Sequence, residues 1–373
     1  MLPFESVIPT WIAGCSCVFF ATLFVGSLYL FPVKKQASTG NQAPDRFQQR
    51  LDRDHPLVIK QRIKGIVLTS LLVTLYLWVV FSISGAIPSD QASQCVYAFL
   101  QLLGLTVPAY GLVQWLHHIF TPLALVMTLF LGPLAMMLID GELPFQSRLY
   151  WRNQLQNLCE WIGIRNYIVG PIAEEYIFRA CMVSITATSG ASPKAMIFGL
   201  PLVFGIAHLH HGYESFVKKG RTRQAAIQSA IIALVQLTYT SLFGWFATFL
   251  FLRTSSLLAP CLCHSFCNLM GFPDVSNIQH YGRWKIWIYV AFTLGDWSPF
   301  NLEIVSLMKN MFDTGKLAAI IYIEDRRTCF RAFDKDRSGF IDFYELKTAM
   351  TSFGYNLLDP SSSVCLQTTC DFS

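Results

Sequence analysis

The sequence predicts an all-α fold: a polytopic membrane helix bundle with a short C-terminal EF-hand segment. Three observations support this fold class. Hydrophobic residues make up 53% of the chain and charged residues only 14%, and the hydrophobic residues gather in runs of about 20, the length that crosses a bilayer. An ordinary soluble domain carries about 25% charged residues. The composition therefore excludes a disordered chain and a simple cytosolic enzyme.

The hydrophobic runs predict seven or eight membrane helices. The first run covers residues 8–32 and predicts an uncleaved helix, because no Lys or Arg precedes it and it is long for a signal-peptide core. A basic polar stretch follows at 34–64. The later runs cover residues 66–87, 96–115, 119–139, 162–188, 195–208, 225–252 and 255–271.

Basic clusters predict which side of the membrane the loops face. These clusters lie at 34–64, 148–165 and 218–223. The positive-inside rule places all three in the cytosol. Three hydrophobic runs separate the first two clusters, so one run should not cross, and we assign this role to 96–115 because Pro108 and Gly111 interrupt it. The mixed segment 143–160 is expected to lie at the membrane interface. The net charge of +5 is too small and scattered to suggest nucleic acid.

Ionisable residues inside the hydrophobic runs mark the candidate site, because each charge in a membrane helix costs about 2.5–3.5 kcal/mol or more. The strongest case is Glu174-Glu175, followed by Arg179. Glu175 and Arg179 are four residues apart, so they share a helix face and can form an ion pair. Glu174 points about 100° away from that face. A purely structural ion pair would explain the other two residues but not Glu174.

Two further segments supply polar groups that suit hydrolysis. Phe204 and His208 end one hydrophobic run, and His264 and Asn268 stand four residues apart in another. A carboxylate can accept a proton from water while an imidazole orients that water. A His and an Asn can donate hydrogen bonds to the oxyanion that forms at an attacked carbonyl. The sequence contains neither GxSxG nor HExxH, so we predict attack by activated water rather than an acyl-enzyme.

Taken in order, these segments resemble the motifs of the type II CAAX prenyl endopeptidases. Residues 174–179 match EExxxR, residues 204–208 match FxxxH, and residues 264–268 match HxxxN. The resemblance covers residues 8–294. It implies an intramembrane endopeptidase of the endoplasmic reticulum membrane, with its site toward the cytosol, that removes the C-terminal tripeptide from prenylated CaaX proteins such as Ras-like small GTPases.

The resemblance also implies a role for each polar residue. The catalytic set comprises Glu174, His208, His264 and Asn268, and the supporting pair is Glu175 and Arg179. In this set Glu174 activates water with His208 beside it, and His264 and Asn268 form the oxyanion hole. Proteolysis would then require no cofactor.

Other interpretations of the same residues stay open. Glu174, His208 and His264 could form a His₂Glu zinc site with an open fourth position. Alternatively, the chain is a non-catalytic membrane scaffold or transporter in which the ionisable residues line a path. A third interpretation is a calcium-responsive membrane protein, based on the C-terminal segment.

The composition changes near residue 298, which predicts a membrane-embedded endopeptidase domain at 1–298 and a partial EF-hand segment at 299–373. The apolar stretch 284–294 is too short to span a membrane. Residues 334–345 form a complete EF-hand loop with Gly339 at its sixth position. The expected Ca²⁺ ligands are Asp334, Asp336, Ser338, Phe340 through its backbone carbonyl, Asp342 and Glu345.

The segment 300–358 resembles part of the penta-EF-hand domain of calpains. One complete hand is present where that family has five, and the preceding hand is shortened at residues 313–316. The segment is either a genuine fusion or a join created in the gene model.

Overall fold

The computed structural model describes residues 7–31, 53–88, 91–107, 111–143, 146, 158–207, 209–271 and 275–296. Within these ranges the regular structure is helical, which confirms the predicted fold class. The helices are α1 Thr10–Ser27, α2 Pro56–Ser84, α3 Ala92–Leu102, α4 Leu112–Leu129, α5 Leu131–Asp140, α6 161–187, α7 Pro193–Ala207, α8 Leu209–Lys218, α9 Arg223–Thr254, α10 Leu258–Met270 and α11 Lys285–Asp296. A 3₁₀ segment, Val275–Trp284, precedes α11.

Five helical segments of the described chain are long and apolar enough to cross a membrane. They are Thr10–Ser27, Pro56–Ser84, Leu112–Leu129, Pro193–Lys218 and Arg223–Thr254. Leu131–Asp140 and Leu258–Met270 are apolar but shorter. The chain is therefore a multi-pass membrane protein by length and composition, while the count of seven or eight membrane helices stays a prediction.

The predicted run 96–115 is interrupted in the structure. Helix α3 ends at Leu102, and the next helix begins only at Leu112. Gly104 and Gly111 between them have φ values of 67° and 94°, a left-handed conformation that favours glycine. With 11 residues, α3 is too short to cross a bilayer, which agrees with the role assigned to this run.

The run 119–139 differs from its prediction as a single helix. Helix α4 starts seven residues before this run, and the helical path breaks at Phe130 before α5 begins. Pro133 gives the physical reason, because it has no N–H and its ring crowds the carbonyl of Leu129, four residues earlier.

Several predicted features lie outside the described residues. They are most of the interface segment 143–160, His208, the domain boundary near 298 and the EF-hand loop 334–345. The boundary and the calcium loop therefore stay predictions at this point.

Helix α6 lies at the centre of the described bundle. The ring of Phe178 makes edge-on contacts with Phe24 of α1, at 5.5 Å between centroids, and with Phe204 of α7, at 4.8 Å. On the α2 side, the hydroxyls of Tyr176 and Thr74 share a hydrogen bond of 2.5 Å. Helices far apart in the sequence therefore hold the segment that carries the two glutamates.

The contact between α1 and α2 generates a stability prediction. A Cβ added to Gly65 of α2 would overlap the backbone carbonyl oxygen of Ser27, whereas a Cβ added to Gly14 of α1 would meet no atom within 4 Å. Gly65→Ala should lower the free energy of unfolding by about 1–3 kcal/mol, because overpacking forces the two helices apart. Unfolding in detergent measures this change. Gly14→Ala is the matched control, and equal effects of the two substitutions would contradict the close approach.

Candidate active site

Helix α6 changes its winding around the two glutamates. The α-helical turn Gly170–Glu175 lies between two π-helical segments, Ile164–Val169 and Tyr176–Cys181. Such π turns are rare and recur at functional sites, where the wider turn displaces side chains and backbone groups from their α-helical positions. Hydrophobic periodicity predicts the helix but carries no signal for these π segments.

Glu175 is the centre of the polar cluster. Its Oε1 accepts a hydrogen bond of 3.0 Å from Arg179 Nη1, and the side chains of Glu175 and Arg179 are 0% and 1% exposed. The same oxygen lies 2.7 Å from His264 Nδ1. An ionised carboxylate only accepts hydrogen bonds, so Nδ1 of His264 donates here. The spacing-predicted ion pair is thus present, and it also binds an imidazole from another helix.

The guanidinium of Arg179 is enclosed by two aromatic rings. Its Cζ lies 4.4 Å from the ring centroid of Phe204 and 5.9 Å from that of Phe243. A cation over a ring face is stabilised by the ring quadrupole, more so when water is excluded. Phe204 is the first residue of the FxxxH segment, which gives that position a structural role. Phe243 was not anticipated, because no local pattern distinguishes it from a lipid-facing aromatic residue.

Glu174 faces the other nitrogen of the same imidazole. Its Oε2 lies 3.8 Å from His264 Nε2, and the side chains of Glu174 and His264 are 24% and 10% exposed. This separation is too long for a direct hydrogen bond. It is shorter than two hydrogen bonds of about 2.8 Å placed end to end, so the oxygen atom of one water molecule or substrate group could contact both side chains. Two adjacent glutamates therefore differ: Glu175 is enclosed, while Glu174 is accessible.

Asn268 lies one turn after His264 on α10. Its Nδ2 donates a hydrogen bond of 2.9 Å to the backbone carbonyl of Asn166 in the first π-helical segment of α6. The ring of Phe243 packs against His264 with 4.8 Å between centroids. Four of the six predicted site residues thus form one contact network: Glu174, Glu175, Arg179 and His264. Asn268 lies beside this network, and His208 is outside the described residues.

The described residues give no support to the zinc alternative. No group of three or more His, Cys, Asp or Glu side chains is arranged to hold a metal ion in the ranges that the structure covers. The zinc set also requires His208, which lies outside those ranges.

The polar end of α6 is anchored to the start of α2. Arg165 Nη1 lies 2.8 Å from Asp54 Oδ1. Burial raises the pKa of Asp54, but the hydrogen bond from Arg165 and the charges of Arg165, Arg53 and Lys218 lower that pKa below its ordinary value overall. Arg53, Arg165 and Lys218, one residue from each basic cluster, therefore act on one carboxylate and lie on the same side of the described bundle.

Comparisons with known proteins match the membrane part of the chain. A family model described as "Type II CAAX prenyl endopeptidase Rce1-like" matches residues 156–270. CAAX prenyl protease 2 of Homo sapiens is 34% identical over 280 residues, which are 73% of this chain and 75% of that protein. Probable CAAX prenyl protease 2 of Schizosaccharomyces pombe is 33% identical over 279 residues, which are 74% of this chain and 87% of that protein.

The C-terminal part matches a different group. An EF-hand domain model matches residues 326–353. Peflin of Homo sapiens is 33% identical over 84 residues, which are 20% of this chain and 30% of peflin. These matches support an EF-hand segment joined to the membrane part. No solved structure matches the chain.

The buried ion pair generates a second stability prediction. Arg179→Ala should lower the free energy of unfolding by about 3–5 kcal/mol, because it leaves the charge of Glu175 buried without a partner. Arg179→Lys should cost less, since it keeps the charge but loses the planar group between the aromatic rings.

Unfolding in detergent measures both variants of Arg179. The double variant Glu175→Gln, Arg179→Met is the control, and it should recover part of the loss because it removes both charges together. Wild-type stability of Arg179→Ala would show that the pair does not hold the site.

Proposed function

The chain belongs to the type II CAAX prenyl endopeptidase family, and from this premise we propose that it removes the C-terminal tripeptide from prenylated CaaX proteins, Ras-like small GTPases among them. The observation that carries the proposal is the position of Glu174, which lies 3.8 Å from His264 beside an enclosed ion pair. This arrangement supports hydrolysis because it combines an accessible carboxylate with a fixed imidazole.

In the proposed mechanism, Glu174 activates a water molecule. Its carboxylate accepts a proton as the water oxygen bonds to the carbonyl carbon of the prenylated cysteine, and the carbonyl oxygen becomes an oxyanion. The tetrahedral intermediate then breaks its C–N bond, and Glu174 returns the proton to the leaving amine. By the family resemblance, His208 lies beside the attacking water.

His264 and Asn268 stabilise the oxyanion in this proposal. Glu175 accepts a hydrogen bond from the Nδ1–H of His264. This bond fixes the orientation of the ring, so that Nε2 faces Glu174. Donation from Nε2 to the oxyanion requires a ring that is protonated at both nitrogens. The carboxylate of Glu174, 3.8 Å away, balances that positive charge before the attack. Fixed donors of this kind act without reorganisation at the moment of reaction.

The membrane setting suits a lipid-modified substrate. We place the basic end of α6 in the cytosol by the positive-inside rule, at the endoplasmic reticulum membrane. Glu174 follows Arg165 by nine residues, a rise of no more than about 14 Å along α6. A prenyl chain could then approach through the bilayer while the peptide enters from the cytosol. A cysteine introduced into the loop 218–223 should react with a membrane-impermeant thiol reagent added on the cytosolic side. Reaction only with reagent on the lumenal side would contradict this orientation.

Replacing Glu174 by Gln tests the mechanism. Glu174→Gln keeps the size of the side chain but removes the base, so the rate of tripeptide release from a prenylated peptide should fall by about 10²–10⁴-fold. Glu160→Gln is a matched control at an exposed position that precedes α6, and it should leave the rate unchanged. Unchanged turnover by Glu174→Gln, at normal expression, would contradict the role of Glu174 as the base, whereas absence of tripeptide release by the wild-type chain would favour the non-catalytic scaffold or transporter.

We also propose that the EF-hand loop binds Ca²⁺, on the evidence of the family-model match at residues 326–353 and the complete ligand pattern. Asp334→Ala removes the first ligand of the loop, so Ca²⁺ binding by the full chain should be lost in a calorimetric titration. Asp359→Asn, outside the loop, is the control and should bind as the wild type does. A wild-type chain that binds no Ca²⁺ up to about 1 mM, the weak limit for such loops, would contradict the proposal.

A further inference from the structure

The side chain of Asn268 depends on an unusual backbone acceptor. Its Nδ2 donates a hydrogen bond of 2.9 Å to the backbone carbonyl of Asn166, a residue inside a helix. A carbonyl in a regular α-helix already accepts the N–H of the residue four positions later. For Asn166 that residue is Gly170, so this carbonyl should be occupied within its own helix.

The first π-helical segment of α6 frees this carbonyl. The N–H of Gly170 donates to Arg165, five residues earlier, instead of to Asn166. In the π pattern, Asn166 would accept from the residue five positions later. That residue is Pro171, which has no N–H. Both possible helical donors to Asn166 are therefore removed, and the amide of Asn268 takes their place.

The residue type at position 170 permits this winding. A Cβ on Gly170 would lie 2.7 Å from the carbonyl oxygen of Arg165, a distance that would force the backbone to shift. Glycine therefore allows the π turn, and proline leaves the exposed carbonyl without a helical donor. The pair Gly170-Pro171 is a local signal for the freed carbonyl, although periodicity alone does not reveal it.

We propose that Gly170 and Pro171 are positioning residues that aim the amide of Asn268 at the substrate. Because the carbonyl of Asn166 only accepts, the NH₂ group of Asn268 must face it. One of the two N–H groups is then fixed in that hydrogen bond. The second N–H lies in the same plane and is, in this proposal, the donor to the oxyanion. This inference rests on the proposed function, in which Asn268 is an oxyanion donor.

Gly170→Ala tests the device in the full-length protein. The added methyl group should drive α6 toward regular α-helical winding, so that residue 170 occupies the carbonyl of Asn166 and the amide of Asn268 loses its orientation. We expect kcat to fall by about 10-fold or more, up to the 10²–10³-fold fall that follows complete loss of an oxyanion donor, with KM nearly unchanged. Gly199→Ala in α7 is the matched control, since its Cβ would meet no atom within 4 Å.

A double-variant cycle distinguishes positioning from a general effect on folding. If Gly170 acts through Asn268, then Gly170→Ala should have no further effect on kcat in an Asn268→Ala background. Pro171→Ala restores an N–H that can reach the carbonyl of Asn166, so it should lower kcat in the same way. Pro171→Ala replaces Gly170→Ala in the double-variant cycle if the Gly170→Ala protein does not fold.

The possible failures are separable. Wild-type kcat in Asn268→Ala would refute the oxyanion role of Asn268, and with it the proposed function of that residue. A large effect of Asn268→Ala with no effect of Gly170→Ala and Pro171→Ala would overturn only the positioning proposal. Equal losses from Gly170→Ala with and without Asn268 would overturn it as well.

Discussion

One buried carboxylate oxygen holds the site together. Oε1 of Glu175 receives both Arg179, at 3.0 Å, and His264, at 2.7 Å. A buried charge is tolerated only when it is paired and hydrogen-bonded. Arg179 supplies the pair from α6 itself, and moving α10 away would remove the hydrogen bond of His264 from this carboxylate. The two rings over Arg179 come from α7 and α9. Four helices are thus fixed relative to each other by one enclosed ion pair.

This constraint separates the work of two neighbouring glutamates. Glu175 has a structural role. It accepts the hydrogen bond of His264 Nδ1, and the opposite nitrogen of that ring, Nε2, therefore faces Glu174. Glu174 stays accessible on the adjacent face of α6. The α-helical turn that carries both residues lies between two π-helical segments. The winding of α6 therefore contributes to the site along with its side chains.

Much of the fold and part of the site could be predicted from the sequence. Hydrophobic runs predicted most helices of the bundle, and the four-residue spacing predicted the ion pair of Glu175 and Arg179. Both features could be predicted because they depend on residues that are close together in the sequence. The contact of His264 with Glu175 joins residues 89 positions apart, so spacing alone could not supply it; the family motifs named the participants without their atoms. The break at Phe130 and the packing of Phe243 depend on tertiary contacts and on one proline, and both were missed.

A structure with a transition-state analogue tests this account most directly. The ligand would be a prenylated peptide in which a phosphinate replaces the scissile peptide bond, so that its two oxygens mimic the attacking water and the oxyanion. We predict that one oxygen lies within hydrogen-bonding distance of Glu174 and the other within reach of His264 Nε2 and Asn268 Nδ2. A phosphinate bound away from Glu174, with the hydrogen bond between His264 and Glu175 broken, would contradict it.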